Sequence, residues 1–331
     1  MISGPVVRGP YFEELTRGQV FDAPAVTLTS GMAAVHQAIV GNRLQLVLDH
    51  RLAEAVMSEE GMASPGLVWD VAIGLSTAAT QNVRANLFYR GLVFSRFPRI
   101  GDTLTTVTTV EGLRQNRRRE GRPPTGLAVL RVRTEDQDGR TVLDFWRCAM
   151  IPLSDRAIDT GAADDLDVVG NPATDEALAA AVADWNLPRA PSVAAGHQLS
   201  AGTELEVAGG DVVSSAPELA RLTLNLAAVH HDARAAGGRR LVYGGHTIGV
   251  ALAQLTRAVP GLLTIVGWHS CDHVGPVYEG DTLRSIVTLE RAQPLEGAGT
   301  LAHLRVRVTA DGDAGASDRD VLDWRPVGVT R

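Results

Sequence analysis

Lysine is missing altogether. All 31 basic residues of this 331-residue chain are arginine, a mark of GC-rich coding sequence rather than of a function. Aromatic residues are scarce at 5%, so alanine, valine, leucine and glycine fill the apolar quota. There are only two cysteines, Cys148 and Cys271, which excludes a disulfide framework and the paired CxxC pattern of zinc sites; a reducing cytoplasm is the expected location. No run approaches the ~18 consecutive apolar residues of a membrane span. The opening "MISGPVVRGPYFEELTRGQ" lacks the basic-then-apolar order of a secretory leader. Positive charge is also short: the net charge of −7 argues against nucleic acid or an anionic membrane as partner. A local arginine pocket for a small polyanion stays compatible with that balance. What is present, 45% hydrophobic and 21% charged residues, is an ordinary globular composition with length for two domains.

The chain repeats itself. "GDTL" stands at Gly101–Leu104 and at Gly280–Leu283, 179 residues apart, and "VLD" at Val142–Asp144 and Val321–Asp323 with the same spacing. At that offset Gly66 falls on Gly245, Val71 on Val250 and Glu111 on Glu290. "LAVLRVR" from Leu127 and "LAHLRVR" from Leu301 are 174 apart, a difference taken up by the arginine-rich loop "RQNRRREGRPPTG" of the first half. Short matches in one order and near one spacing indicate two copies of one fold.

Each copy has the same order of elements. "VFDAPAVTLT" reads as a strand, and Ser30 is placed to cap the helix "GMAAVHQAIVG". Pro65-Gly66 opens the helical pattern "LVWDVAIGLSTAATQNV". The β-branched runs "GLVFSRFPRI", "TLTTVTTVEGL", "GLAVLRVRT" and "TVLDFWRCAMIPL" then follow, with turn signals suited to an antiparallel meander. The second copy repeats this with "YGGHTIGVALAQLTRAV" as helix and three further strand runs. The expected class is α+β: two tandem folds, each a long helix wrapped by an antiparallel sheet, packed side by side as a pseudo-dimer. The expected boundaries are 1–153 for the first copy, 154–197 for an acidic, alanine-rich surface linker, and 198–331 for the second copy.

The layout, together with "GLRQN" (Gly112–Asn116), "YGGHTIG" and "NLAAVHHD", resembles the MaoC-like (R)-specific enoyl-CoA hydratase/dehydratase family of double hot-dog enzymes, and within it the mesaconyl-CoA hydratases. The resemblance spans nearly the whole chain; its substrate-level part rests on these short phrases. It implies tandem hot-dog folds and reversible hydration of a 2-enoyl-CoA thioester, with a branched or dicarboxylic C4–C5 acyl group. It implies no cofactor beyond the coenzyme A of the substrate, and homo-oligomers are common among such folds. The family's motif is an aspartate followed five residues later by a histidine. The matching positions are Asn225 and His230, so the aspartate is an asparagine here. Asparagine can orient a water but cannot exchange a proton near neutral pH. His230 would then act alone as base and acid, with Asp232 in reach to orient its ring; the bland alternative is a structural histidine.

Gly245, at a helix start, would offer a backbone N–H to the thioester oxygen, or else be a plain turn glycine. His246 and Tyr243 flank it as substrate contacts. Arg114 in "GLRQN" is the candidate for a substrate carboxylate, since an inward-facing arginine needs an anion; a surface strand arginine is its alternative. Arg117–Arg119 could meet coenzyme A phosphates but read better as a solvated hairpin loop. The first copy has Leu67 where the second has His246, and only His50 stands near the place of His230, so one active site per chain is expected. "WHSCDH" puts His269, Cys271 and His273 at alternating strand positions, a spacing better explained by packing than by a metal. A thioesterase on the same fold, and a non-catalytic acyl-CoA-binding protein with a decayed dyad, are the competing functional readings.

Overall fold

The structure, a computed structural model, describes residues 7–58, 61–192, 200–297, 299–311 and 318–331; the boundary expected between 197 and 198 lies outside the described residues. The first copy comprises β1 (Val20–Asp22), β2 (Val26–Thr27), α1 (Ser30–Val40), α2 (Gln45–Leu48), α3 (His50–Met57), α4 (Pro65–Leu75), β3 (Ala85–Phe94), β4 (Thr103–Gln115), β5 (Thr125–Glu135) and β6 (Thr141–Pro152). After α5 (Asp175–Ala180) the second copy follows: β7 (Glu204–Glu206), β8 (Asp211–Val212), α6 (Ala216–Leu222), α7 (Gly244–Ala258), β9 (Thr264–His273), β10 (Thr282–Leu295), β11 (Gly299–Ala310) and β12 (Arg319–Thr330).

The strands make one continuous antiparallel sheet in the order β1-β4-β5-β6-β3-β9-β12-β11-β10-β7, with β2 beside β4 and β8 beside β10. Exchanging the copies leaves that order unchanged, and β3 joins β9 at the centre. The register carries the duplication to single residues. Tyr89 lies opposite Arg147 and Asn86 opposite Ala149 in one copy. In the other, Trp268 lies opposite Pro326 and Ile265 opposite Gly328, each 179 residues further on. This is the tandem hot-dog arrangement expected from the sequence.

Every residue of α4 is buried, as its apolar composition all round requires, and Gly245 to Thr256 of α7 are buried likewise. Trp69 of α4 meets Trp268 and Trp324 edge-on, with ring centroids 4.9 and 6.2 Å away. Along β6 the side chains alternate: Phe145 and Ala149 face the helix-side cores, whereas Trp146 and Cys148 face outward into a cluster with Leu127, Val129 and Leu166. Leu166 belongs to the segment between the copies. Leu166, Leu178 and Leu187 are 1%, 0% and 2% exposed, so this segment packs on the protein rather than running free over it.

Some local expectations shift by a residue or more. Thr29, not Ser30, is the cap of α1, its hydroxyl accepting the Met32 N–H at 3.1 Å. The central strand of the first copy begins at Ala85 and leaves the sheet after Phe94, so "SRFPRI" is loop. The helix opened by Pro65 is α-helical to Leu75 and tightens to 3-10 geometry through Thr80. Among the described residues no helix is long and apolar enough to cross a membrane.

Candidate functional site

A cavity of about 300 Å³ opens where β3 of the first copy meets the start of α7 and the end of β9 of the second. The loop after α6 builds one wall. Leu224 takes a left-handed turn (φ 55°), and Asn225 follows it into the interior, 3% exposed. The Asn225 side-chain oxygen accepts the Ala227 N–H at 2.9 Å, and its backbone carbonyl accepts His231 Nε2–H at 2.6 Å. The carboxamide oxygen is therefore committed to its own loop, which leaves the amide nitrogen for the cavity.

A 3-10 turn, Ala228–His230, then delivers His230 to the cavity wall. His230 Nδ1 lies 2.9 Å from the Leu241 carbonyl. A carbonyl can only accept, so the proton resides on Nδ1 and Nε2 keeps its lone pair. Burial lowers the His230 pKa to about 4, with the Leu241 bond opposing and the nearby His231 and Arg147 adding to the fall. The ring is neutral at pH 7 and basic only at Nε2.

Across from it Tyr243 caps α7, its ring edge-on to His230 at 5.8 Å between centroids. The Tyr243 hydroxyl donates to the backbone and carboxylate oxygens of Asp70 at 3.2 and 3.3 Å. Asp70 is itself paired with His36 at 3.0 Å, and burial pushes its carboxyl up. Gly244 is the first residue of α7 and lines the cavity. The Tyr243 carbonyl takes the His246 N–H at 2.9 Å, while the N–H groups of Gly244 and Gly245 are first-turn donors that no helical carbonyl can satisfy. His273 completes this corner with a buried, unbonded Nε2, and burial brings its pKa to about 4.

No family model matches the chain. A curated relative from Chloroflexus aurantiacus, β-methylmalyl-CoA dehydratase, is 29% identical over 323 residues, 94% of this chain and 90% of the relative. Mesaconyl-CoA hydratase from Cereibacter sphaeroides is 27% identical over 316 residues, 91% of this chain and 89% of the relative. A solved structure, a conserved hypothetical protein from Mycobacterium tuberculosis with a double hotdog fold, is 52% identical, covers 98% of this chain and 99% of its own, and superposes with a TM-score of 0.87. The chain belongs with this relative among the double hot-dog proteins.

Within this double hot-dog the expected site residues separate into two groups. His230, Asn225 and Tyr243 do converge on the cavity. Gly245 does not line it; Gly244 does. A Cβ at Gly245 would sit 2.0 Å from Asp70 Oδ1 and 2.5 Å from the Tyr243 ring, so this glycine serves the close approach of α7 to α4. His246 is 0% exposed, off the cavity, and neither ring nitrogen has a partner. Asp232 is exposed and accepts the Arg234 N–H, so the group that orients His230 is the Leu241 carbonyl. Arg114 sits on β4, with β5 and β6 between it and β3, and bridges by its backbone to Ala163; it is remote from the cavity.

The remaining candidates resolve as follows. Arg117–Arg119 are exposed in the β4–β5 hairpin, Arg118 bonding the Ala157 and Ile158 carbonyls. His50 is exposed at the start of α3. His269, Cys271 and His273 do not converge either. A register shift skips His269, which meets His303 at 2.9 Å near Asp175, and the Arg291 guanidinium bonds Asp175 there at 2.8 Å. Sequence reasoning missed Asn86, Tyr89, Arg147 and Gly244 on the cavity wall, and His273 as part of it. The signal for Arg147 was a charged residue at an inward strand position within "TVLDFWRCAMIPL".

Proposed function

We propose that the cavity hydrates 2-enoyl-CoA thioesters reversibly, adding water across Cα=Cβ to give a 3-hydroxyacyl-CoA. The observation that carries this is the His230 tautomer: Nδ1–H is held by Leu241, and a neutral, basic Nε2 lies across the cavity from the start of α7. His230 Nε2 takes a proton from a water held by the Asn225 amide nitrogen. The water oxygen bonds to Cβ, and the C=C electron pair moves to Cα and on to the thioester oxygen. That oxygen rests on the Gly244 N–H at the positive end of α7. The enolate then collapses, and Cα takes its proton from the His230 imidazolium, a strong acid given the lowered pKa. Dehydration is the same path reversed. The relatives' names, a dehydratase and a hydratase of carboxylated acyl-CoA thioesters, support both directions. Coenzyme A is part of the substrate, and no other cofactor enters these steps.

Asn225 in place of the family's aspartate fits this scheme because the proton traffic needs only one exchanging group, while the amide nitrogen holds the water. The test is purified protein with crotonyl-CoA and with mesaconyl-CoA, following enoyl thioester absorbance and free thiol together. Loss of absorbance without thiol is the expected result. Thiol release would replace the hydratase with a thioesterase, and silence in both would leave an acyl-CoA-binding protein.

A further inference from the structure

Arg147 is a cation with no anion. It is 3% exposed, on the helix-facing side of β6, and lines the same cavity as His230 and Gly244. Its Nη2 donates to the Ser76 carbonyl at 3.1 Å and to Thr80 Oγ1 at 2.7 Å, and its Nη1 to Asn86 Oδ1 at 3.3 Å. Nε is buried and has no partner. All three acceptors are neutral, and among the described residues no aspartate or glutamate forms a salt bridge with it. Among the described residues the cavity lining contains no acidic side chain, and its other arginine, Arg84, is exposed. A guanidinium does not shed its proton, so the charge remains, and a buried charge without a counter-ion is unfavourable.

The duplicated copy shows that the fold does not need this arrangement. The residue 179 positions on from Arg147 is Pro326, in the equivalent register opposite Trp268. Thr80 and Asn86, the two side chains that accept from Arg147, correspond to Val259 and Ile265, so both side-chain acceptors are apolar in the other copy. The arginine and its supports occur only on the side that has His230.

We propose that Arg147 is the receptor for a carboxylate on the acyl group, making it the residue that restricts this site to 2-enoyl-CoA thioesters of dicarboxylic acids. This rests on the acyl-CoA reading of the cavity. The polar shell holds the guanidinium through its Nη atoms and leaves donors for a carboxylate, which would supply the missing counter-charge. Arg114, the arginine the sequence pointed to, cannot do this from β4.

The experiment uses saturated ligands so that binding is read apart from turnover: succinyl-CoA, which carries the carboxylate, and butyryl-CoA, which does not, titrated calorimetrically into the full chain. The wild type is expected to bind succinyl-CoA about 100-fold more tightly, the size of a buried charge pair with one partner removed. Arg147→Met should collapse that ratio to within a few fold, and Arg147→Lys should retain part of it. Arg147→Met should also melt no lower than wild type without ligand, because it removes an unpaired buried charge. Equal wild-type affinities would overturn the proposal. So would a lower melting temperature for Arg147→Met with both ligands weakened alike, which is the signature of a structural arginine. A succinyl-CoA preference that depends on Arg147, in a protein that hydrates neither crotonyl-CoA nor mesaconyl-CoA, would uphold the receptor and refute the hydratase.

Discussion

Gly245→Ala tests whether this glycine is a packing device, and the sign of the effect decides. Alanine is the better helix former by up to about 1 kcal/mol, so propensity alone predicts a small gain in stability. The structure predicts a loss. The new Cβ would meet Asp70 Oδ1 at 2.0 Å and two Tyr243 ring carbons at 2.5 and 2.6 Å. Neither neighbour can yield easily, since Asp70 is 0% exposed and held by His36 on one oxygen, and the Tyr243 hydroxyl is bonded to Asp70 itself. Overpacking of that kind costs about 3 kcal/mol, for a net destabilisation of roughly 2 kcal/mol.

Gly66, the counterpart in α4, is the internal control. Its Cβ would find the nearest atom at 3.1 Å and the next at 3.5 Å, so Gly66→Ala should lie near neutral. Equilibrium urea unfolding followed by tryptophan fluorescence on both variants gives the comparison. If Gly245→Ala were as stable as the wild type, the close approach of α7 to α4 would not be what this glycine is for.

His230→Gln should lower kcat of hydration by about 10²- to 10⁴-fold while succinyl-CoA binding changes little, because the imidazole moves the protons and the amide cannot; an unchanged kcat would remove His230 from the mechanism. Asn225→Asp places a carboxylate in a 3%-exposed position on the His230 wall, which favours the imidazolium. The acid limb of its kcat/KM profile should therefore move up from the region of pH 4, whereas an unmoved limb would mean the two side chains do not interact. Acid stability follows from His230, His246 and His273, whose pKa values burial lowers to about 4 in the folded chain. The unfolded chain binds more protons between pH 6.5 and 4, so stability should be lost as pH falls through that window, by roughly 1 kcal/mol per pH unit per histidine. Unfolding midpoints measured from pH 7 to pH 4 check the slope.

The duplication was legible because it is a property of order along the chain. The 179-residue offset of "GDTL" and "VLD" reappears as identical strand register in two halves of one sheet. The buried helices were legible for a similar reason, since α4 and α7 are apolar around their whole circumference. Asn225 and His230 were legible through the family resemblance, whose motif is a five-residue spacing on one short loop, and local spacing survives folding. The rest of the cavity is not local. Asn86, Tyr89 and Arg147 come from strands of the first copy, and His230, Gly244 and His273 from the second; only the β3–β9 pairing brings them together. Strand periodicity could not choose between Arg114 and Arg147, because both sit in runs of β-branched and apolar residues. Sheet order decided it, putting β6 next to β3 and β4 two strands further away. The roles of Gly244 and Gly245 were likewise exchanged by a contact 175 residues distant in sequence, where Asp70 of the first copy occupies the space a side chain on Gly245 would need.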